Sequence, residues 1–566
     1  MSLENKGKKG RPIGKTGRQA YRNSYRNDLY EDGSASSESY YSLGGDHEQA
    51  GYRRPAGSSY RRTGSDAAKA RRRAARNRQA QSGRRNTRNM SARRRAARRR
   101  RKIKNIITLI LLLLLLILVI AGVIFGVKKL IGFISGGGDR AATMSVAEST
   151  EESYTAPETT RSEQDIILSE ADFMALQYDY DGAIELINSN PEVAASPEGM
   201  EALQKFEEIK AGLVEQDITK ITHVFFHSLV VDEDNAFDKD KWGKQADGYN
   251  QVMTTVTEFE KMLDKFYSDG FVLVRLHDIA SMKEQEDGSM TMTKGKIMLP
   301  EGKKAMVISQ DDVCYYEYME GAGFADRIIV GDDGRPTCVY TEPSGNEVTG
   351  EYDLVPILDR FVEEHPDFSY KGAKACLAFT GYNGILGYRT DETYDPNSDM
   401  YDEEKKANTN IEADRETARQ VVRALKDAGY ELASHSWGHR NYTDISYEHM
   451  KKDADRWDKN VNKELMNGEC DIILFPFGAD VGDWHAYSHD NAKFDYLWDL
   501  GFRYFCNVDS AQYWVQLGND YLRQGRRNLD GYAMWQDIAN GKNKLTDLFD
   551  SSEIFSDKRP TPVPGY

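Results

Sequence analysis

The sequence predicts an α/β fold for residues 218–566, a distorted (β/α) barrel of about seven strands. Short apolar runs recur along this part of the chain, and amphipathic helical segments separate most of them, at 251–267, 353–364, 411–428, 445–466 and 491–500. Strands that alternate with helices form a parallel sheet, and a sheet of this many units can close on itself. The predicted strands are Ile221–Phe226, Phe271–Leu276, Ala305–Ile308, Lys374–Phe379, Tyr430–Ala433, Asp471–Phe475 and Phe502–Val508.

Two stretches interrupt this alternation. Residues 314–352 include Arg327–Gly334, where an Asp-Gly pair indicates a β-hairpin. Residues 381–410 are mostly polar. We expect both stretches to form loops or small ribbons around one mouth of the barrel.

The first 104 residues differ in charge from the rest of the chain. They contain 30 Lys and Arg against 8 Asp and Glu, a net charge of +22, whereas the whole chain carries −15. A segment so charged and so poor in apolar clusters is expected to be disordered. The block from Arg71 to Arg101 favours binding to anionic lipid headgroups. Nucleic acid, which polycations also bind, is the less favoured partner.

A single transmembrane helix is predicted within residues 105–130. Ile106 to Val127 is a run of 22 residues without a charge, which is long enough to cross the bilayer. The preceding basic block keeps the N-terminus inside, so the acidic remainder lies outside the cell. Residues 131–163 are rich in Gly, Ser, Thr and Glu and indicate a flexible linker. We therefore expect a single-pass protein of the cell membrane with an extracellular C-terminal domain.

Residues 164–217 are expected to form a small helical hairpin that resembles part of a tetratricopeptide repeat. One hairpin cannot bury its own apolar face, so it serves as a spacer or packs on the following domain. The cysteines show no spacing typical of a metal or redox motif. We expect buried free thiols rather than disulfides at Cys314, Cys338, Cys376, Cys470 and Cys506.

Side chains able to do chemistry follow the predicted strands. His227, Asp311, His435 and Asp509 come after four of these strands, and the turn 476–478 follows a fifth. The carboxyl ends of barrel strands meet at one face, so we expect these side chains to converge. His435 and His439 are four residues apart and can hold one metal ion. Two imidazoles and one carboxylate of the Asp311–Asp312 pair form a zinc-type site with an open position for water, and the second aspartate is free to act as a base.

On these residues, the segment 218–550 resembles the polysaccharide deacetylases of the NodB-homology class, carbohydrate esterase family 4. The family's first motif, typically Thr-Phe-Asp-Asp-Gly, corresponds to Ser309–Val313, and its His-Ser/Thr-x-x-His motif corresponds in full to His435–His439. Its Pro-aromatic-Gly turn corresponds to Pro476-Phe477-Gly478. Phe225–Ser228 is similar to the start of many members, and Gly501–Phe505 is similar to the strand that precedes the fourth motif.

The resemblance implies that Asp312, His435 and His439 bind a divalent metal, with zinc the expected ion, and that Asp311 is the general base. The implied reaction removes acetyl groups from N-acetylated sugars. A carboxylate next to a metal ligand can stay ionised, because the metal neutralises its neighbour. We expect the sugar to contact the Pro476–Gly478 turn, Asp509 and Trp514, the last by stacking.

The sequence departs from the family pattern at three places. Leu474 stands where the family has an arginine that orients the catalytic aspartate, and Val313 replaces the glycine of the first motif. No histidine follows His489, although many members use a late histidine as general acid. His227 is our candidate for that acid, with a structural role in the barrel rim as the equal alternative. Arg389 and Arg527 are candidates for the missing arginine.

The sequence thus predicts a membrane-anchored, metal-dependent polysaccharide N-deacetylase. The expected substrate is an N-acetylated cell-wall or surface glycan, with peptidoglycan favoured. The alternative is a catalytically weak glycan-binding or scaffold protein on the same fold, which the missing arginine and the missing late histidine both favour.

Overall fold

The computed structural model describes residues 162–509 and 512–565. The predicted basic tail, membrane span and most of the predicted linker lie outside these residues. Within the two described ranges, no helix is both long enough and apolar enough to cross a membrane.

The described residues alternate between strands and helices along most of their length. The strands are β1 Val214–Glu215, β2 Thr222–Phe226, β3 Phe271–Leu273, β4 Ala280–Glu284, β5 Met290–Lys294, β6 Met298–Leu299, β7 Lys304–Gln310, β8 Arg327–Val330, β9 Pro336–Thr341, β10 Glu347–Gly350, β11 Cys376–Phe379, β12 Glu431–Ser434, β13 Ile472–Leu474, β14 Tyr504–Val508, β15 Val515–Leu517 and β16 Leu522–Asn528. The helices are α1 Glu163–Leu176, α2 Tyr180–Asn188, α3 Pro191–Ala194, α4 Pro197–Ala211, α5 Glu233–Ala236, α6 Lys239–Trp242, α7 Lys244–Val252, α8 Val256–Ser268, α9 Leu276–Ile279, α10 Leu354–Glu364, α11 Ile411–Asp427, α12 Tyr447–Trp457, α13 Ala492–Asp499, α14 Gly531–Asn540 and α15 Ser551–Ile554.

Seven parallel strands close into a barrel. The order around the ring is β2, β7, β11, β12, β13, β14 and β16, and β16 pairs with β2 to complete it. This architecture confirms the predicted α/β barrel of about seven strands. Two further strands lie beside the ring: β3 pairs in parallel with the first half of β7, and β15 pairs antiparallel with β16.

One predicted strand was placed wrongly, and one barrel strand was missed. The run Phe271–Leu276 begins with β3, which lies beside the ring rather than in it. The seventh barrel strand is β16, whose sequence Leu-Arg-Gln-Gly-Arg-Arg-Asn contains a single apolar residue. Six of its seven residues are nevertheless buried. The sequence of this strand contains no apolar run that would predict it, because its polar side chains are buried in hydrogen-bonded and charged pairs.

The two faces of the barrel strands belong to separate hydrophobic clusters. One cluster contains Val307, Ala433 and Leu474, which line the lumen together with their counterparts on neighbouring strands. The other contains the alternate residues, such as Ile308, Leu432 and Ile473, packed against the surrounding helices. This alternation is the layered packing expected of a filled barrel.

The helices α1 to α4 cover the end of the barrel where the strands begin. Their buried side chains, including Ala171, Ile187 and Phe206, share the lumen cluster with Ile221 just before β2. The short strands β1 and β6 pair next to this floor. The helical segment therefore lies at the end opposite the carboxyl ends of the strands.

The predicted additions at the mouth form a small sheet and a long loop. Strands β8, β9 and β10 make a three-stranded antiparallel sheet, and the turn between β8 and β9 contains the Asp-Gly pair. The loop after β11 is tied to the residues that follow β7, because the Leu386 amide donates to the Val313 carbonyl at 2.9 Å. All five cysteines are buried free thiols, as the sequence predicts.

The last residues of the chain close over the connection between α7 and α8. The Arg559 guanidinium donates to both carboxylate oxygens of Glu258, at 2.7 and 2.6 Å, and to the backbone carbonyls of Asn250 and Met253. Both charged side chains are fully buried. A buried charge without its partner is strongly unfavourable, so this pair ties the C-terminal segment to the barrel wall.

Candidate metal centre

Three side chains converge at the mouth of the barrel. Asp312 follows β7, and His435 and His439 follow β12; their ligand atoms all lie within 4.8 Å of one another. His435 Nε2 is 3.9 Å from one oxygen of Asp312, and His439 Nε2 is 3.7 Å from the other. The structure thus brings together the three side chains that the sequence analysis selected as metal ligands.

Neighbouring groups fix the orientation of the ligands. His435 Nδ1 lies 2.6 Å from the carbonyl of Leu474, and a carbonyl only accepts, so Nδ1 carries the proton and Nε2 is free to coordinate. The Tyr316 hydroxyl donates to Asp312 at 2.6 Å. Contacts of this kind orient metal ligands in general. Leu474, which replaces the family's arginine, therefore contributes through its backbone.

The electrostatics of the two histidines suit a metal ligand. Burial lowers the pKa of His435 to about 4, and it lowers the pKa of His439 to about 4 as well. Both imidazoles are therefore neutral at physiological pH, as coordination requires. Two neutral imidazoles and one carboxylate, each already oriented, form a donor set that fits a divalent metal ion.

Asp311 lies beside this triad and is paired with an arginine. Arg526 of β16 donates to both Asp311 oxygens, at 2.6 and 3.0 Å, and both side chains are buried. Burial alone would raise the pKa of Asp311, but Arg526 and His435 outweigh it, so the pKa lies well below its usual range. Asp311 is thus an ionised carboxylate with its second oxygen 3.8 Å from His435 Nε2.

Arg526 fills the role for which the sequence analysis considered Arg389 and Arg527. Both of those expectations are wrong. Arg389 donates to the backbone carbonyls of Cys314 and Tyr315. Arg527 points to the other face of β16 and pairs with Asp547. The alternation of side chains along the missed strand could have identified Arg526, since only one of two adjacent arginines can face the lumen.

Several site residues occupy the left-handed backbone region. Asp312 has φ 58°, Ser436 59°, His439 51° and Phe477 57°. Each such residue costs about 1 kcal/mol or more, and such strain concentrates at functional sites. Phe477 belongs to the Pro476–Gly478 turn, and its ring lies 4.5 Å from the His439 ring, edge to face. The turn predicted to contact substrate therefore forms one wall of the metal centre.

Gly478 allows this turn to approach β14 closely. It has φ 61°, and a Cβ atom there would lie 2.2 Å from Val508 Cβ. We expect Gly478→Ala to lower the free energy of unfolding by about 2 kcal/mol or more, through overpacking added to backbone strain. Gly468→Ala is the matched control, because Gly468 has φ 74° but a Cβ atom there would meet only Lys463 Cγ, at an ordinary contact distance of 3.9 Å. Urea unfolding compares the two; equal losses would show that the close approach to Val508 carries no cost.

His227 lies at the same mouth, directly after β2. Its Nδ1 is 3.1 Å from the Val252 carbonyl, so in the neutral ring Nδ1 carries the proton. A positive charge on this ring lowers the pKa of Asp311 and of His439. Its role as general acid stays a prediction, and the bond to Val252 also fits the alternative, a structural role in the barrel rim.

Asp509 and Trp514 come together on β16. A Cβ atom at Gly525 would lie 2.9 Å from Asp509 Cβ and 3.2 Å from Trp514 Cβ, so both side chains cover the same glycine. The guanidinium of Arg523 lies 4.9 Å from the Trp514 ring. Arg523 and Gly525 alternate with the lumen-facing Gln524 and Arg526, so this pair covers the outer face of β16. Their contact with a sugar stays a prediction.

The closed parallel barrel thus carries an Asp-His-His cluster and an arginine-paired aspartate at its mouth. Residues 399–504 match the model of the family described as polysaccharide deacetylase. The matched segment contains His435, His439 and the Pro476–Gly478 turn. Asp311 and Asp312 lie before it, and Arg526 lies after it.

Two solved structures are similar to this chain. The Streptococcus pyogenes deacetylase PplD, in complex with acetate, is 13% identical over 57% of this chain and 98% of its own, with a TM-score of 0.28. The BpsB deacetylase domain from Bordetella bronchiseptica is 11% identical over 56% of this chain and 98% of its own, with a TM-score of 0.27. No curated protein matches the chain.

Proposed function

We propose that this protein is a membrane-anchored, metal-dependent polysaccharide N-deacetylase that acts outside the cell. The observation that carries the proposal is the buried Asp311–Arg526 pair beside the Asp312, His435 and His439 triad. An ionised carboxylate next to a metal site can act as the general base for a metal-activated water molecule, which is one established way to hydrolyse an amide. The family match supports a hydrolase that acts on carbon–nitrogen bonds of carbohydrates.

The metal-binding triad and Asp311 have different roles in the proposed hydrolysis. A divalent ion, with zinc proposed, would polarise the acetamide carbonyl and lower the pKa of a water molecule when held by the triad. Asp311 accepts a proton from the attacking water, because Arg526 holds it ionised and oriented. A new carbon–oxygen bond forms at the carbonyl carbon, and the carbon–nitrogen bond then breaks to release acetate and the amino sugar.

The leaving nitrogen needs a proton, and we propose His227 as its source. The bond from Nδ1 to the Val252 carbonyl fixes the ring and leaves Nε2 as the atom that exchanges a proton. Such a fixed ring is suited to general acid catalysis.

The proposed substrate is an N-acetylated cell-wall or surface glycan, with peptidoglycan favoured. The charge pattern and the apolar run at 106–127 support a single-pass anchor with the N-terminus inside. A linker of about 30 residues beyond the bilayer lets a tethered enzyme reach a polymer just above its own membrane. Anionic lipid is the proposed partner of the basic tail.

The alternative, a glycan-binding or scaffold protein, has lost one of its two supports. It was favoured by the missing arginine and the missing late histidine, and Arg526 now stands against Asp311. The two functions differ in one measurement. An enzyme releases acetate from the glycan, whereas a scaffold protein binds the glycan and releases no acetate.

Removal of the metal should abolish activity and lower stability. For the full-length chain purified in detergent, we expect chelator to stop acetate release from peptidoglycan fragments and added zinc to restore it. A ligand at 100 times its Kd stabilises the fold by about 2.7 kcal/mol, so zinc should also raise the Tm. His439→Ala should lose both effects, while His449→Ala, an exposed histidine of α12, should keep them. An equal rate of acetate release with and without chelator would rule out the metal-dependent mechanism.

A further inference from the structure

A row of polar side chains lies in the lumen of the barrel beneath Asp311, on the neighbouring strands β16, β2 and β7. His223 of β2, Ser309 of β7, and Gln524 and Arg526 of β16 are each at most 1% exposed. Adjacent members lie within hydrogen-bond distance of one another. Buried polar groups in a barrel lumen are costly unless each has a partner, so their mutual pairing calls for an explanation.

The direction of each hydrogen bond in this row follows from its neighbours. The Gln524 amide nitrogen donates to the Ile221 carbonyl at 3.0 Å, so its oxygen faces His223 Nδ1 at 3.1 Å. An amide oxygen only accepts, so Nδ1 carries the proton and Nε2 accepts. Ser309 Oγ lies 2.9 Å from Nε2 and must donate to it. The hydroxyl oxygen is then left to accept from Arg526 at 3.3 Å.

We propose that His223 and Ser309 are positioning residues that orient Arg526 and, through it, the Asp311 carboxylate. This inference rests on the proposed deacetylase function of the same site. The row gives Ser309 a single orientation, in which its lone pair faces the guanidinium. The neighbouring strands β2 and β7 thereby set the direction of the general base.

Arg526 needs such an anchor because its own stem provides none. Within the described part of the chain, its buried Nε has no hydrogen-bond partner. One terminal nitrogen bonds Asp311 alone, and the other bonds Asp311 and Ser309. The guanidinium also lies 4.4 Å from the Phe225 ring, a contact that does not fix rotation in the ring plane. The hydrogen bond to Ser309 is therefore the contact that fixes the rotation of the guanidinium and, with it, the orientation of Asp311.

The charge state of His223 agrees with this geometry. Burial, and next the positive charge of Arg526, hold the pKa of His223 well below its usual value. The ring stays neutral, so Nε2 continues to accept from Ser309. A protonated ring would instead present a second donor to the hydroxyl and repel the guanidinium.

The test is a double-mutant cycle on the full-length, zinc-loaded protein. We expect Ser309→Ala to lower kcat for acetate release about tenfold, the loss of one hydrogen bond to a charged group, with KM changed less than about twofold. Ser309→Thr keeps the hydroxyl and should keep most of the activity. Ser369→Ala is the matched control, because Ser369 is equally buried and donates to the Ala373 carbonyl away from the site.

The cycle separates positioning from general stability. In an Arg526→Lys background, which lacks the guanidinium, Ser309→Ala should change kcat by less than about twofold. An equal loss in both backgrounds, or a loss confined to KM, would overturn the proposal. Thermal unfolding alone does not distinguish the two, since any buried serine change can lower Tm.

A second measurement does not depend on activity. In a crystal structure of Ser309→Ala we expect Arg526 to lose its two-point contact with Asp311, which measures 2.6 and 3.0 Å here. An unchanged contact would refute the positioning role, whatever the activity. If the unaltered protein binds zinc but releases no acetate, the proposed function fails, and the crystal structures still decide the positioning role.

Discussion

Asp311→Asn should reduce acetate release by about a thousandfold. A positioned general base contributes about 10²- to 10⁴-fold to a reaction, and the amide of asparagine cannot accept the proton. The change is nearly isosteric, so the variant should still fold. Its zinc affinity should be close to that of the unaltered protein, because Asp312, His435 and His439 are untouched.

The matched control for Asp311→Asn is Asp547→Asn. Asp547 pairs with Arg527 through two oxygens, just as Asp311 pairs with the adjacent arginine, but on the other face of β16. We expect its activity to stay within about twofold of the unaltered protein, as for changes remote from a site. Acetate release from peptidoglycan fragments and zinc titration by calorimetry measure the two quantities. If Asp311→Asn kept more than about a tenth of the activity, general base catalysis would have to be assigned elsewhere.

Arg526→Met should be the most destabilising single change at the site. It leaves Asp311 as a buried carboxylate without a partner, which costs about 3–5 kcal/mol. We expect that loss in the free energy of unfolding in the presence of chelator, together with a fall in kcat. The double variant Asp311→Asn/Arg526→Met should recover part of the loss, because it removes the stranded charge.

Arg527→Met provides the comparison within the same strand. Its partner Asp547 keeps 27% of its side-chain surface exposed, so water can solvate the carboxylate once the arginine is gone. The loss of stability should therefore be smaller than for Arg526→Met. Urea unfolding followed by circular dichroism gives the free energies of unfolding of Asp311→Asn, Arg526→Met, the double variant and Arg527→Met. Equal losses for the two arginines, or strict additivity in the double variant, would show that the Asp311–Arg526 pair is not tightly coupled.

The barrel could be predicted because most of its strands are apolar and are separated by amphipathic helices. The convergence of Asp312, His435 and His439 could be predicted as well, because Asp312 and His435 closely follow such strands. The arginine could not be predicted from its position in a motif. It belongs to β16, whose buried side chains are mostly polar, so that no apolar run predicts the strand. It also lies far from Asp311 in the sequence.

Backbone contributions were also beyond sequence reasoning. Leu474 was noted as a departure from the family pattern, yet its carbonyl sets the tautomer of His435. The side chain at that position says nothing about this role, since every residue has a carbonyl. Tyr316 was missed for a similar reason: its hydroxyl reaches Asp312 in a stretch where Asp312 and Tyr315 both have left-handed backbones, which the sequence does not reveal.

The buried Arg559–Glu258 pair has a consequence for the order of events during synthesis. Glu258 leaves the ribosome some 300 residues before its partner, as their separation of 301 positions shows. Until then the α7–α8 region contains a carboxylate with no arginine to neutralise it, and the barrel wall beside it is incomplete. Because Arg559 follows every barrel strand in the sequence, the α7–α8 region can reach its paired state only after all of those strands have been synthesised.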